Sequence, residues 1–254
     1  ALEDATVGGD EIDALYGGNM SAGQFIRQEH VAALIADYAG LANEGVPATR
    51  VEAADASGGL AFRQAVLDVA SGASDVVVAS GAEKMTDLGS EETNDALAGS
   101  ADREWEVFGG GNVAALYAMM ARAHMERYGT TRRELSEVAV KNHANASNNE
   151  YAQYQNEVSA EIVESTPYVA EPLRAFDCSP ASDGAAAVVV VPAEDAEDYT
   201  DTPVYVEATE QASDSLAVHD RQDITTVNAT VRAAESAYEE ANVAPGDVDL
   251  AEVH

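Results

Sequence analysis

Valine-rich runs that alternate with helix-patterned segments constrain the fold of this chain more than any other feature. Two of the runs, residues 76–78 and 188–191, are continuous, which is typical of strands that are covered on both faces. The predicted strands are residues 14–18, 49–53, 75–82, 185–191, 204–209 and 249–253. The predicted helices are residues 22–42, 60–70, 113–128, 131–146 and 227–241. This alternation indicates a layered α/β fold, with connections long enough for parallel crossovers.

Acidic residues dominate the charge of the chain. In 254 residues, 46 Asp and Glu against 13 Lys and Arg give a formal net charge of −33. Such a surface repels nucleic acid and anionic membranes, so we predict neither as a partner. Disorder and an acidic interaction tail are two interpretations, but the apolar runs oppose the first and the even spread of acids opposes the second. We favour a halophile's protein, whose self-repulsion is screened by molar salt.

The single cysteine, Cys178, has no partner for an intramolecular disulfide and fits a reducing compartment. No apolar run approaches the ~20 residues that span a bilayer, and the first residues lack the pattern of a signal peptide. We therefore predict a cytoplasmic protein. None of the five histidines has metal-ligand spacing to a second His or Cys, so we predict no metal site.

Residues 1–13 parallel residues 237–249 without a gap. In both, an acidic helix end passes through a turn into a strand that opens with Ile-Asp or Val-Asp. Chance is the alternative explanation, because acidic helix ends are common in this chain and turn signals are loose. If the repeat is real, residues 1–192 form one half of the protein and residues 203–254 begin a second. Polar, weakly periodic segments within about 86–175 indicate an excursion of binding loops from the first half.

A strand-like segment, a turn and a helix pattern follow one another in residues 50–60, Arg-Val-Glu-Ala-Ala-Asp-Ala-Ser-Gly-Gly-Leu. Unpaired backbone N–H groups and the helix dipole favour negative charge at such a turn, and enzymes place reactive nucleophiles there. Asp55 stands at its centre. An N-cap is the alternative role for Asp55, because aspartate is among the favoured caps.

Segments spread over nearly the whole chain resemble the thiolase superfamily, most closely the archaeal and sterol-carrier-type thiolases. They are residues 18–24, 50–60, 78–87, 102–106, 140–145, 177–187 and 251–254. The resemblance implies two similar βαβαβαββ halves in a layered α-β-α-β-α architecture, of which the second is incomplete here. It also implies acyl transfer between acyl-CoA and either CoA or a second acyl-CoA, by a homodimer or higher homo-oligomer.

In this family, the position of Asp55 holds the acyl-accepting cysteine of Ala-Cys-Ala-Ser-Gly-Gly. A thiolate at a helix N-terminus is both a nucleophile and a good leaving group. A carboxylate attacks a thioester poorly, and water would destroy the resulting mixed anhydride. We therefore expect Asp55 to put turnover in doubt. It could be natural, engineered, or a stand-in for an oxidised cysteine, because a sulfinate has nearly the same shape and charge.

The resemblance assigns three further site residues. His254 matches the first residue of the His-Asp-Cys-Phe motif, an oxyanion-hole donor, although a terminal histidine without a role is the alternative. Ser179 matches a serine that contacts the coenzyme A tail, and Met85 matches a position that lines the acyl pocket, where packing is equally expected. Cys178 does not match the nucleophile, and we interpret it as a small buried residue. The family's Gly-His-Pro histidine and Cys-x-Gly base would follow His254.

The resemblance implies acyl-CoA as substrate and no covalently bound cofactor. Archaeal thiolases of this group assemble with hydroxymethylglutaryl-CoA synthase and a small zinc-ribbon/OB-fold protein, which makes these two the implied partners. The alternative function is a non-catalytic acyl-CoA-binding or scaffold subunit that has kept the fold and lost the nucleophile. A free-standing α/β protein of this length is a third interpretation, in which the last strand would be an exposed edge.

Overall fold

The computed structural model describes residues 1–254. They divide into two compact units. The first unit consists of Ala1–Asp87, Asp183–Ser213 and Asn228–His254. The second consists of Leu88–Ser182 and Asp214–Val227. No helix in either unit is both long and apolar enough to cross a membrane.

A four-stranded mixed sheet organises the first unit. Its strands are β1 (Ala14–Gly18), β2 (Ala48–Val51), β3 (Val77–Glu83) and β6 (Gly184–Val190), in the order β2-β1-β3-β6. β1 runs parallel to β2 and β3, whereas β6 is antiparallel to β3. The helices of this unit are α1 (Ala22–Phe25), α2 (Val31–Tyr38), α3 (Ser57–Ala70), α8 (Ala196–Tyr199) and α9 (Asn228–Ala241). The predicted α/β class is confirmed.

Successive strand residues point to opposite faces, and each face of the sheet packs on a different helix. Large aliphatic side chains of the strands meet α2 and the turn after it, in a buried cluster that includes Leu15, Leu41 and Val78. Small side chains meet α3 on the other face, in a cluster formed by Ala14, Ala65, Val77 and Ala79. The buried residues of the strands and helix are thus mainly alanines on the α3 face, whereas the α2 face also buries leucines.

The second unit is mainly helical. It contains α4 (Ser90–Ala98), α5 (Val113–Tyr128), α6 (Arg132–Ala146), α7 (Ala160–Ser165) and a hairpin of β4 (Tyr168–Ala170) and β5 (Leu173–Arg174). Side chains of Asn112, Thr131 and Ser159 cap α5, α6 and α7 by accepting backbone N–H bonds. The predicted α5 and α6 are confirmed. α4 and α7 lie where the sequence indicated loops, because they are too short to show a clear apolar period.

Three other secondary-structure predictions are wrong. The predicted helix 22–42 is broken into α1, α2 and a 3-10 turn, and Arg27 interrupts it with a left-handed φ of 58°. The predicted strands 204–209 and 249–253 are not strands, and Val204 and Leu250 in them are 93% and 87% exposed. An alternating apolar pattern becomes a strand only where a neighbouring strand pairs with its backbone groups, and none does so in this structure.

Candidate active site

The turn between β2 and α3 carries Asp55. The Ser57 hydroxyl holds this turn, since its oxygen accepts the Ala53 N–H at 3.0 Å and donates to the Ala54 carbonyl at 2.6 Å. Ala54 adopts a left-handed φ of 48°, which is costly for a residue with a Cβ. Ala56 is the N-cap of α3 and no side chain caps the helix, so the capping interpretation of Asp55 is wrong.

Glycines bring the strands against the start of α3. A Cβ on Gly18, the last residue of β1, would lie 2.4 Å from the carbonyl oxygen of Ser57. A Cβ on Gly81 of β3 would lie 3.5 Å from the Cα of Gly58. The first contact is too short for any side chain, so only glycine lets the end of β1 touch the helix N-terminus. The turn with Asp55 and the start of α3 thus pack on the carboxyl ends of the parallel strands β1 and β3.

Asp55 and His254 come together in the structure. The Nε2 atom of His254 lies 3.1 Å from the Oδ2 atom of Asp55, and the two side chains are 65% and 54% exposed. The contact is an ion pair when the ring is protonated; with a neutral ring it is a hydrogen bond only in the tautomer in which Nε2 carries the proton. An exposed carboxylate and an imidazole in contact can exchange a proton with each other or with a molecule bound beside them.

Met85 lies just after β3 in the same unit as Asp55. Its N–H donates to Oδ1 of Asp183 at 2.8 Å, and the same carboxylate accepts from the Thr86 N–H, the Thr86 hydroxyl and the Lys84 ammonium group. These bonds, led by that of the Thr86 hydroxyl, hold the pKa of Asp183 well below its ordinary value. The backbone at Met85 is therefore fixed, while its side chain is partly exposed.

Ser179 and Cys178 belong to the second unit. Ser179 is exposed. Cys178 is half-buried, and burial followed by the charge of Asp177 raises the pKa of its thiol. A raised pKa disfavours the nucleophilic thiolate, in agreement with a structural role for this cysteine. No group of three His, Cys, Asp or Glu side chains that could hold a metal ion occurs in the structure.

Asn19 and Arg50, which sequence analysis gave no role, hold the segment after β1. Asn19 is 2% exposed, and its side chain donates to the Ala82 carbonyl at 2.8 Å and accepts the Ala22 N–H at 3.1 Å. The Arg50 guanidinium, on β2, donates to the carbonyls of Asn19 and Met20 at 3.2 and 3.0 Å. Segment 19–21 is thus fixed by side chains at the same edge of the sheet as Asp55.

Glu83, at the end of β3, is the third member of this group. Its Oε1 atom accepts the Met20 N–H, and its Oε2 atom is buried without a hydrogen-bond partner. Burial raises the pKa of Glu83, and the charge of Asp55 adds to the rise, while the N–H groups of Met20 and Ser21 and the Arg50 guanidinium act in the opposite direction. A carboxylate at the end of a buried strand is the signal by which sequence analysis could have found this residue.

Comparison with known proteins places the chain in a family. The family described as "Thiolase, N-terminal domain" matches residues 1–194. The acetyl-CoA acetyltransferase of Methanothermobacter thermautotrophicus is 56% identical over 100% of this chain and 65% of its own length. The acetyl-CoA acetyltransferase of Methanocaldococcus jannaschii is 52% identical over 100% of this chain and 64% of its own length. The chain thus spans slightly less than two thirds of these relatives.

A solved structure shares the fold. The "Ltp2-ChsH2(DUF35) aldolase" superposes with a TM-score of 0.76 at 27% sequence identity, over 98% of this chain and 63% of that one. Bovine sterol carrier protein 2 is 29% identical over 85% of this chain and 42% of its own length. The thiolase-like α/β fold and the sequence matches agree. The chain belongs to the thiolase family, and it matches that family through the thiolase N-terminal domain.

Proposed function

We propose that this protein is a thiolase-type acyltransferase whose acyl-accepting position, residue 55, is disarmed by aspartate. Its substrates would be acyl-CoA and either CoA or a second acyl-CoA, as in 3-ketoacyl-CoA thiolysis and Claisen condensation. The observation that carries this proposal is the 3.1 Å contact between Asp55 and His254 at the start of α3. The names of the two acetyl-CoA acetyltransferase relatives support it.

The two side chains supply different parts of acyl transfer. A nucleophile at residue 55 would attack the thioester carbonyl, aided by the partial positive charge at the N-terminus of α3. An imidazole N–H of His254 would stabilise the negative charge that develops on the carbonyl oxygen. With aspartate at residue 55 the adduct would be a mixed anhydride, which water hydrolyses before a second acyl-CoA can condense. Ser179 and Met85 are proposed to contact the coenzyme A tail and the acyl group.

The test compares thiolysis of acetoacetyl-CoA by the full-length protein and by its Asp55→Cys variant in molar KCl. We expect the variant to be faster by at least about 10³-fold, the scale on which a catalytic nucleophile contributes. Asp55→Ala, which removes the charge without adding a thiol, is the matched control and should stay inactive. Adding Cys178→Ala to the active variant should leave its rate unchanged. Equal rates for Asp55→Cys and Asp55→Ala would contradict the proposal.

Aldol cleavage is a second candidate, favoured by the carboxylate–imidazole contact and by the name of the solved relative, an aldolase. A base would take the 3-hydroxyl proton of a 3-hydroxyacyl-CoA, and the C2–C3 bond would break to give a carbonyl compound and an acyl-CoA enolate, which is protonated at C2. This reaction needs no covalent intermediate, so Asp55 would serve it. Cleavage by the unmodified protein, lost in Asp55→Asn, would favour this candidate over thiolysis.

A scaffold function is the outcome that remains if neither reaction occurs while acyl-CoA still binds. The name of the structural relative includes a DUF35 component beside Ltp2, which supports a proposed partner protein of the zinc-ribbon/OB-fold kind. Hydroxymethylglutaryl-CoA synthase and a second copy of this chain are the other proposed partners.

A halophile's cytoplasm is the proposed cellular setting, because salt is needed to screen the repulsion that a net charge of −33 causes within the protein.

A further inference from the structure

Glu83 ends β3, the strand that packs on the start of α3 through Gly81, and the charge of Asp55 acts on its carboxylate. We propose that Glu83 is a positioning residue that acts through position 55: it fixes segment 19–21 beside the turn and keeps there a negative charge that opposes ionisation of a thiol acceptor. This inference rests on the proposed function, in which residue 55 is the acyl-accepting position. It assigns a role to a side chain that neither the sequence motifs nor the comparisons single out.

The positioning part follows from hydrogen bonds on both sides of one backbone segment. Glu83 accepts the N–H of Met20, whereas Arg50 binds the carbonyls of Asn19 and Met20. Met20 is therefore held through both its donor and its acceptor, which leaves its peptide groups little freedom. Segment 19–21 continues directly from Gly18, whose Cα lies against the start of α3. Movement of this segment would be transmitted to the turn.

The charge part follows from the surroundings of Glu83. The charged groups near this carboxylate are Arg50 and Asp55; Arg50 also pairs with Glu29 at 3.4 Å, and Asp55 also contacts His254. The Arg50 guanidinium is thus shared between Glu83 and Glu29. The Oε2 atom of Glu83 is buried without a hydrogen-bond partner, so the charge of this carboxylate is only partly compensated. An uncompensated anion raises the pKa of any thiol placed beside it.

Replacing Glu83 with glutamine tests the charge of this side chain while its shape is kept. Glu83→Gln keeps an oxygen that can accept the Met20 N–H but removes the negative charge. The readout is the pH dependence of alkylation by iodoacetamide in the Asp55→Cys protein, measured by mass spectrometry of the peptide that contains position 55. Only the thiolate is alkylated, so the midpoint reports ionisation of the introduced thiol. Cys178 lies on another peptide and does not interfere.

We expect Glu83→Gln to lower the midpoint by about 0.5 pH units, or roughly a threefold faster alkylation at a fixed pH below it. Glu52→Gln is the matched control, because Glu52 is an exposed carboxylate in the same turn that accepts the Ala54 N–H at 2.5 Å. Water and salt screen its charge, so its midpoint shift should be smaller. An unshifted midpoint in Glu83→Gln, or equal shifts in both variants, would overturn the charge part.

Two further variants complete the test. Glu83→Ala should speed hydrogen exchange at the Met20 amide by at least about tenfold, because the bond to Glu83 is lost; unchanged exchange would overturn the positioning part. If Glu83→Gln does not fold, Glu83→Asp decides, since it keeps the charge. The midpoint of its alkylation should stay within about 0.2 pH units of the parent, and a shift of about 0.5 pH units would overturn the inference.

Alkylation requires no turnover, so an inactive Asp55→Cys protein would contradict the proposed function alone.

Discussion

The two faces of the four-stranded sheet are packed with residues of different size. On the α2 face, long aliphatic side chains such as Leu15 and Leu41 fill the space between strands and helix. On the α3 face, the buried side chains are mainly alanines, and a glycine at the end of β1 touches the helix N-terminus. Full burial of one leucine stabilises a fold by about 1.5–3 kcal/mol, whereas an alanine buries far less apolar area.

This difference links the α2 face to the stability of the fold and the α3 face to the position of Asp55. The buried leucines of the two clusters, Leu15 and Leu41, lie on the α2 face. Small residues on the α3 face bring the helix near enough for its first turn to rest on the strand ends, and this contact places Asp55. Substitutions on the first face should therefore change the free energy of unfolding, and substitutions on the second should change the reactivity of position 55.

The largest loss of stability is expected for Leu15→Ala on the α2 face. Leu15 is 1% exposed, and its removal should leave a cavity that lowers the free energy of unfolding by about 2–5 kcal/mol. Denaturant unfolding measures the change. Leu67→Ala is the control, because Leu67 of α3 is 44% exposed, and it should lower the free energy of unfolding much less. In folded Asp55→Cys protein, Leu15→Ala should leave alkylation at position 55 unchanged; a large change would remove the distinction between the faces.

A smaller loss, with a larger effect on the site, is expected for Gly18→Ala. The added methyl group would lie 2.4 Å from the Ser57 carbonyl oxygen, so the start of α3 must shift. Overpacking of this kind costs about 1–3 kcal/mol. The alkylation rate at position 55 in the Asp55→Cys background should change at least about threefold.

Gly59→Ala is the control for this prediction, because a Cβ there meets nothing within 4 Å and lies within α3. It should stabilise the protein by up to about 1 kcal/mol, since alanine is the better helix former. Similar results for the two glycines would show that close approach at Gly18 does not place the turn.

The smallest effect is expected for Tyr16→Phe on the α3 face. The Tyr16 hydroxyl donates to Oδ2 of Asp68 at 3.3 Å in a partly buried setting, so its loss should cost at most about 1 kcal/mol at neutral pH. Burial, with the charge of Asp68, raises the pKa of Tyr16. A raised pKa means that this contribution is complete below the unfolded value of about 10 and is lost as pH rises through the folded value.

Unfolding measured from neutral to strongly alkaline pH checks this sign. The difference between Tyr16→Phe and the unmodified protein should vanish at alkaline pH, and a difference that grows there would contradict the assigned cause.

The local pattern of apolar residues predicted many of the strands and helices correctly. Continuous valines predicted β3 and β6, and the apolar period of residues 113–128 matches α5. It failed at residues 204–209, where alternation was present but a pairing strand was not, and at Arg27, whose left-handed backbone no local signal announces. The first miss has a physical cause, because strand formation depends on a pairing strand that is distant along the chain.

The candidate site was less predictable than the fold. The resemblance singled out Asp55 and His254, whose catalytic roles stay predictions, and only the structure brings the two side chains into contact. Glu83 binds the N–H of a residue 63 positions away, and periodicity cannot report a pairing of that kind. Its place at the end of a buried strand was visible, but its partners were not.

The antiparallel pairing of β3 with β6 ends with Glu83 opposite Gly184, so the chain between them leaves and returns at a single pair of residues. The entropy lost on closing such a loop grows only with the logarithm of its length, and a doubling costs only about 0.6 kcal/mol. Insertions and deletions in this stretch would therefore disturb the sheet very little. Evolution can rebuild the helices between the two strands while the strand ends that carry the acceptor turn remain as they are.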